Sequence, residues 1–274
     1  METLFPILVV FIFGAIIGSF LNVVILRLHT GKSLNGRSHC MTCGATLGAL
    51  ELIPILSYIS LLGKCKSCSA KFSVRYVAVE TLTGFSFVLA YITSNDTVTF
   101  LAVLLLLSVL ILILVYDLDH LIIPDELATL LFVPVVVLMV WSGAGGVSFN
   151  YIDLLAPFVA SGLFYSLWKV SKGRWIGLGD AKLAAPLSLA VGLSQVFSFV
   201  VVAFWVGALV SLVLLLLQKL RKRRGQKGLR FLNETLTMKS EIPFAPFLIA
   251  SFVLVFFFGF SAFALTETLI SYVM

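Results

Sequence analysis

The chain has 274 residues, 60% hydrophobic and 12% charged, with a formal net charge of +6 and a mean hydropathy of +1.11. These values exclude an ordinary soluble domain. The positive charge invites a nucleic-acid reading, but its confinement to a few connections between apolar runs argues for a polytopic membrane protein instead.

The first apolar segment, 4–26, lacks a basic stretch before it and a small-residue cleavage site, so it reads as a retained span and not a cleaved signal. Further spans are expected near 76–93, 98–116, 126–141, 151–168, 181–194, 196–217 and 244–266. Runs such as FLAVLLLLSVLILILV (100–115) and VFSFVVVAFWVGALVSLVLLLL (196–217) are about as long as a hydrocarbon core of roughly 30 Å demands of a helix. All 19 Lys and Arg then fall in three segments, Arg27 to Arg75, Lys169 to Lys182 and Lys219 to Lys239. The connections at 94–97 and 142–150 carry none. With eight spans the basic segments share one side, which the positive-inside rule makes cytoplasmic, and both termini face the periplasm. The sixth span is short and contains Pro186. Without it the 219–239 cluster would be exported, so eight is the expected count. The run QKLRKRRGQKGLR (218–230) fits a topology determinant and solvated linker better than a site for anionic lipid.

The first connection holds all four cysteines, as Cys40-Met-Thr-Cys43 and Cys65-Lys-Ser-Cys68. Two CxxC pairs on one short loop supply four thiolates for a tetrahedral Zn²⁺. A reducing cytoplasmic side disfavours disulfides there. Four protein thiolates leave no open position, so the metal is expected to be structural. Gly44 and Gly63 flank the pairs as tight metal-binding turns often require. The spacer between the pairs is apolar and is expected to pack against the membrane or dip into its interface.

Several carboxylates sit at the cytoplasmic ends of spans, where an ionisable group is costly and marks a functional candidate. Asp117 and Asp119 end the third span, Asp125 and Glu126 open the fourth, and Asp180 opens the sixth. Asp125 and Glu126 follow Pro124 as a helix start does, with proline at the first position and acids on the positive dipole end. Asp180 has a plain reading as an N-cap. Asp153, near the other face, reads as a helix-start acid. Asp117 and Asp119, two apart on a helix, point in different directions, and position alone does not choose between them as partner to Asp180. Two carboxylates in contact share a proton and can activate one water between them, which is aspartic-protease logic. Gly177 and Gly179 before Asp180 let the backbone turn tightly and admit a substrate strand.

Six stretches in order, GAIIGSFLNVVILRL (14–28), the two CxxC pairs joined by IPILSYISLLGKC (53–65), SVRYVAVE (73–80), DLDHLIIPDEL (117–127), GLGDAKL (177–183) and IPFAPFLIAS (242–251), resemble those of the type IV prepilin peptidases, the GxGD aspartic membrane proteases of type IV pilus and type II secretion systems. The resemblance covers nearly the whole chain. It implies an all-α polytopic membrane protein of about eight helices, with a zinc loop (27–75) between the first two. A methyltransferase-associated portion would be 1–93 and a six-span peptidase core 94–274. It places the first catalytic aspartate seven residues before the Ile-Pro proline, which is Asp117, and the second at Asp180. It implies an inner-membrane enzyme that cuts prepilins and pseudopilins after the glycine ending a short basic leader. The same enzyme then methylates the new N-terminus with S-adenosylmethionine. Departures are His29, where the family often has proline, and Ser188, where glycine is common.

No dinucleotide-type glycine fingerprint marks a methyl-donor site. Glu80, on the face of Tyr76 and within reach of Arg75 or Lys71, is the candidate cofactor-binding residue by resemblance, with the polar face Gly18, Ser19 and Asn22 beside it. The plainer role of Gly14, Gly18 and Ser19 is close helix packing. Two other functions compete. An ion-coupled transporter would place its acids at mid-membrane in repeated halves, and a non-catalytic assembly factor would have no need of both aspartates.

Overall fold

The computed structural model describes residues 4–30, 33, 35–142, 150–223, 230–231, 234–235 and 243–262. These residues are helical apart from short turns, loops and one antiparallel pair of two-residue strands. The chain divides into two compact units, 1–115 and 116–274.

In the first unit, α1 (Leu4–Arg27) lies against α3 (Arg75–Thr93). Small residues set the contact. A Cβ at Gly14 would stand 2.8 Å from Gly84 Cα, and one at Gly18 would stand 2.8 Å from Glu80 Cα. The backbones therefore meet along a glycine seam, as apolar helices do where no aqueous driving force holds them together. The opposite side of α1 leaves Leu4, Phe5, Leu8, Ile12, Ile16 and Phe20 exposed, as a lipid-facing surface requires. Between these helices come a 3₁₀ turn at Ala49–Leu52 and the short helix α2 (Leu56–Ser60); α4 (Thr97–His120) follows α3. At the exit of α1, His29 has a φ of 56°. No proline reaches that angle, so the loop entry differs from the proline-bearing pattern that the resemblance implies.

The second unit begins within the last turn of α4. It continues through α5 (Asp125–Leu130), α6 (Phe132–Ser142), α7 (Ala156–Ser171), α8 (Leu178–Val191), α9 (Val196–Arg223), the strands β1 (Arg230–Phe231) and β2 (Glu234–Thr235), and α10 (Ala245–Phe258). Helix α8 is its centre, packed by α7, α10, α6, α5 and α9. Asp180, Ala181, Leu183, Ala184, Pro186, Leu187, Ser188 and Leu189 are all buried in it. A helix enclosed on all sides can carry a carboxylate that a lipid-facing helix cannot.

Among the described residues, five helical segments are long and apolar enough to cross a membrane: Leu4–Arg27, Arg75–Thr93, Thr97–His120, Tyr151–Ser171 and Leu193–Leu220. The other three expected spans are helical but shorter. The segment near 126–141 is divided into α5 and α6 at Leu131, itself helical at φ −60° and ψ −26°. Pro134 supplies no N–H for the Leu130 carbonyl, so the hydrogen-bond ladder falters there. Helix α8 has 14 residues, about 21 Å at 1.5 Å per residue, and α10 also has 14. The centre of the basic run 218–230 and both chain ends lie outside the described residues.

Asp153 does more than start a helix. Its Oδ2 accepts the Asn150 N–H at 3.3 Å, and its Oδ1 accepts the Leu193 N–H at 2.8 Å. It thereby ties the start of α7 to the turn after α8, where Gly192 sits at φ 83°.

Candidate active site and thiol cluster

Helix α4 ends at His120, and Leu121 takes a left-handed φ of 57° that turns the chain away. Asp117 occupies the last full turn, 5% exposed. Its carboxylate accepts the Ala245 N–H at the start of α10, while Oδ2 finds no hydrogen-bond partner among the described residues. Asp119 is exposed and does not line the cavity described next.

Asp180 lies in the first turn of α8, 6% exposed. Gly177, not Asp180, is the N-cap, and Asp180 Oδ2 accepts the Gly177 N–H at 3.0 Å. The expected capping role is thus partly real, but it occupies one oxygen only. Asp117 and Asp180 line one cavity of about 670 Å³, together with Ile123, Gly179, Trp175 and Phe244. They interact electrostatically across it. Each carboxylate is anchored through one oxygen by a backbone N–H, so the pair is oriented without a second side chain being spent on either.

The two glycines of the motif differ in role. Gly177 has an ordinary φ of −73°. A Cβ at Gly179 would stand 3.0 Å from Ile123 Cβ, so this glycine lets the first turn of α8 close on the segment leaving α4. The missing side chain thus provides close packing inside the protein, and both glycines also line the cavity that holds the two aspartates.

At the cavity rim Lys182 Nζ pairs with both oxygens of Asp125, at 2.7 and 2.8 Å. Pro124 is the N-cap of α5 and not its first residue, with Asp125 and Glu126 in the first turn. The ion pair with Lys182, and the lining residues Arg174, Trp175 and Phe244, were not legible in the sequence. Lys182 lies within the recognised motif but shows no partner there.

Cys40, Cys43, Cys65 and Cys68 bring their ligand atoms within 4.8 Å of one another. The two halves repeat. The Cys40 N–H bonds Ala45 O and the Cys65 N–H bonds Ala70 O, both at 2.9 Å. The residue after each pair is left-handed, Gly44 at 73° and Ser69 at 57°. The Cys43 and Thr42 N–H groups hold the Cys40 thiol down at about 6. Although the Ala70 N–H pulls the other way, burial and the neighbouring sulfurs push Cys68 up to about 12. Four crowded sulfurs resist becoming thiolates together unless a cation balances them, which is the donor chemistry that soft divalent metals accept.

A second cavity, about 280 Å³, lies in the first unit and is lined by Ser19, Asn22, Tyr58, Tyr76 and Glu80 among others. Asn22 is 4% exposed. Its Nδ2 donates to Tyr76 O at 3.1 Å, and its Oδ1 has no partner among the described residues. Glu80 is 8% exposed. Its carboxylate accepts the Ile55 N–H at 2.8 Å and the Ser19 hydroxyl, in place of the expected pairing with Arg75 or Lys71.

Residues 12–94 match the bacterial peptidase A24 N-terminal domain, and residues 104–212 match the type IV leader peptidase family. A prepilin leader peptidase/N-methyltransferase of Bacillus subtilis (strain 168) is 30% identical over 252 residues, covering 92% of this chain and 94% of that protein. The chain belongs to the type IV leader peptidase family. A protein of the same description from Aeromonas salmonicida (strain A449) is 32% identical, over 76% of this chain and 81% of its own. Another, from Myxococcus xanthus (strain DK1622), is 32% identical over 77% of this chain; the chain spans 64% of that relative's length. No solved structure matches the chain. As a type IV leader peptidase, the chain is an enzyme, a membrane protease with methyltransferase activity.

Proposed function

We propose that Asp117 and Asp180 are the catalytic dyad of an aspartic endopeptidase that removes the basic leader of type IV prepilins and pseudopilins. The observation that carries this reading is that two buried carboxylates, far apart in sequence, share one cavity. Each is held through one oxygen by a backbone N–H. In the reaction, the ionised carboxylate takes a proton from water as the water oxygen adds to the scissile carbonyl carbon. The protonated carboxylate then gives its proton to the amide nitrogen as the C–N bond breaks. Neither step calls on a metal or a serine. A transporter is disfavoured because the acids sit at one end of their helices and not at mid-helix.

Eight crossings of the inner membrane, with both termini periplasmic, put the dyad and the thiol loop on the cytoplasmic side. That is where a basic leader and a soluble methyl donor are available. Zinc is the metal that fits Cys40, Cys43, Cys65 and Cys68, and bound there it staples the loop.

We assign the methyl donor to the cavity of the first unit. S-adenosylmethionine bound there supplies the methyl group for the new N-terminal amine. Asn22 Oδ1, a buried acceptor without a donor among the described residues, would accept an N–H of the ligand. Tyr58 and Tyr76 wall the site.

Mass spectrometry of a prepilin processed by membranes containing the enzyme tests the reading. The expected product begins immediately after the leader glycine and carries one N-methyl group when the donor is supplied. A product starting elsewhere, or one left unmethylated with donor present, contradicts it.

A further inference from the structure

Ile55 has a φ of 64° and a ψ of −51°, and the Leu56 N–H bonds Pro54 O at 2.6 Å across it. This is a γ-turn of the rare, strained, positive-φ kind. A β-branched residue is the least suited to it. Such a conformation persists only where the surroundings hold it. The hold is visible. The Ile55 N–H donates to Glu80 Oε2 at 2.8 Å, from a carboxylate on α3 that also accepts the Ser19 hydroxyl on α1. One buried acid thus joins two helices to the turn.

The turn lies between the 3₁₀ turn at Ala49–Leu52 and α2, and both sides of it wall the cavity: Leu52 before it, Tyr58 and Leu61 after it. Ile55 itself does not line the cavity. If the turn relaxed to negative φ, the direction of α2 would change and Tyr58 and Leu61 would move.

We propose that Glu80 is a positioning residue, whose carboxylate clamps the strained Ile55 turn and so fixes the Tyr58–Leu61 wall of the cavity, and that it is not a ligand of the methyl donor. This rests on the assignment of that cavity to the donor. A glycine adopts the mirror region of φ without strain. In an Ile55→Gly chain the turn therefore has less need of the clamp, and that makes the role separable from direct binding.

The test uses the full-length enzyme in detergent, with S-adenosylmethionine titrated against methylation of a cleaved pilin peptide and leader cleavage followed as a control. Glu80→Ala is expected to raise the donor KM about tenfold, the scale of losing a charge-assisted hydrogen bond, with kcat less affected. Glu80→Gln, which keeps an acceptor oxygen, recovers most of that loss. Ile55→Gly placed in the Glu80→Ala chain recovers it as well. A double variant as impaired as Glu80→Ala, or a Gln variant as impaired as Ala, overturns the clamp and leaves the donor's place in the cavity standing. If Glu80→Ala strips the Ile55 amide of its hydrogen-exchange protection yet leaves the donor KM unchanged, the donor assignment fails and this proposal fails with it.

Discussion

Gly179 and Ile123 meet so closely that a Cβ on the glycine would stand 3.0 Å from the isoleucine Cβ and 3.3 Å from its Cδ1. That contact closes the start of α8, which carries Asp180, against the chain leaving α4, which carries Asp117. Gly179→Ala is therefore expected to push the two segments apart and cut leader cleavage about 10²-fold, as misplacements near 1 Å do. Gly177→Ala meets Asp180 Oδ2 at 3.4 Å and Gly179 N at 3.9 Å, both ordinary contacts on an ordinary backbone, and should keep most activity. Ile123→Ala is expected to restore part of what Gly179→Ala loses. Rates measured on a prepilin substrate check the ordering; equal losses at 177 and 179 would contradict it.

The glycine seam of the first unit makes a different prediction. In Gly18→Ala the new methyl would stand 2.8 Å from the Glu80 Cα, on backbone that cannot swing aside. Overpacking of this kind costs about 1–3 kcal/mol and moves Glu80 off Ile55. Methylation should fall while cleavage, which depends on residues of the second unit, is retained. Parallel assays of the two activities on one preparation decide it.

The four thiols should bind about one zinc per chain, by the stoichiometry of a four-thiolate site. Elemental analysis of enzyme purified without chelators measures it directly. Cys40→Ser or Cys65→Ser, the two buried members, should lower the content. Thiolates must be free of protons to ligate, so the metal is expected to leave as pH falls and to be retained as it rises. Zinc content that is the same in the wild type and in a variant lacking all four sulfurs would refute the site.

Lys182 and Asp125 are 44% and 66% exposed in their side chains, and exposed pairs contribute about 0.2–1 kcal/mol. Lys182→Met should shift thermal unfolding only slightly, and raising the salt concentration should not reproduce a larger loss. A large destabilisation measured by thermal melting would mean that the pair is shielded in the bilayer interface.

The parts of the molecule legible in the sequence are those written locally. Five of the eight expected spans appear as membrane-length helices among the described residues; the thiol cluster follows from two CxxC pairs, and close helix packing from Gly14 and Gly18 at helical spacing, though not α3 as the partner. The choice of Asp117 over Asp119 was not legible from spacing, since both end the same helix; the family resemblance supplied it, and burial distinguishes them in the fold. What escaped was long-range. Helix α8 reads as one more span because its residues are apolar, yet it is enclosed by other helices, and composition does not tell a lipid neighbour from a leucine one. The bond from Glu80 to Ile55 crosses between elements that no periodicity connects, and nothing in Pro-Ile-Leu announces a γ-turn.

The most direct measurement is leader cleavage by Asp117→Asn and Asp180→Asn, each compared with the wild type on the same prepilin, with thermal unfolding of each variant and methylation of a pre-cleaved peptide as controls for folding. Asparagine keeps an oxygen for the Ala245 and Gly177 N–H groups while removing the group that takes up and gives back a proton. Both variants should therefore fold and methylate yet lose cleavage by about 10²-fold or more. Normal cleavage by either one, in protein that still methylates, would show that the two carboxylates do not act together on the scissile bond.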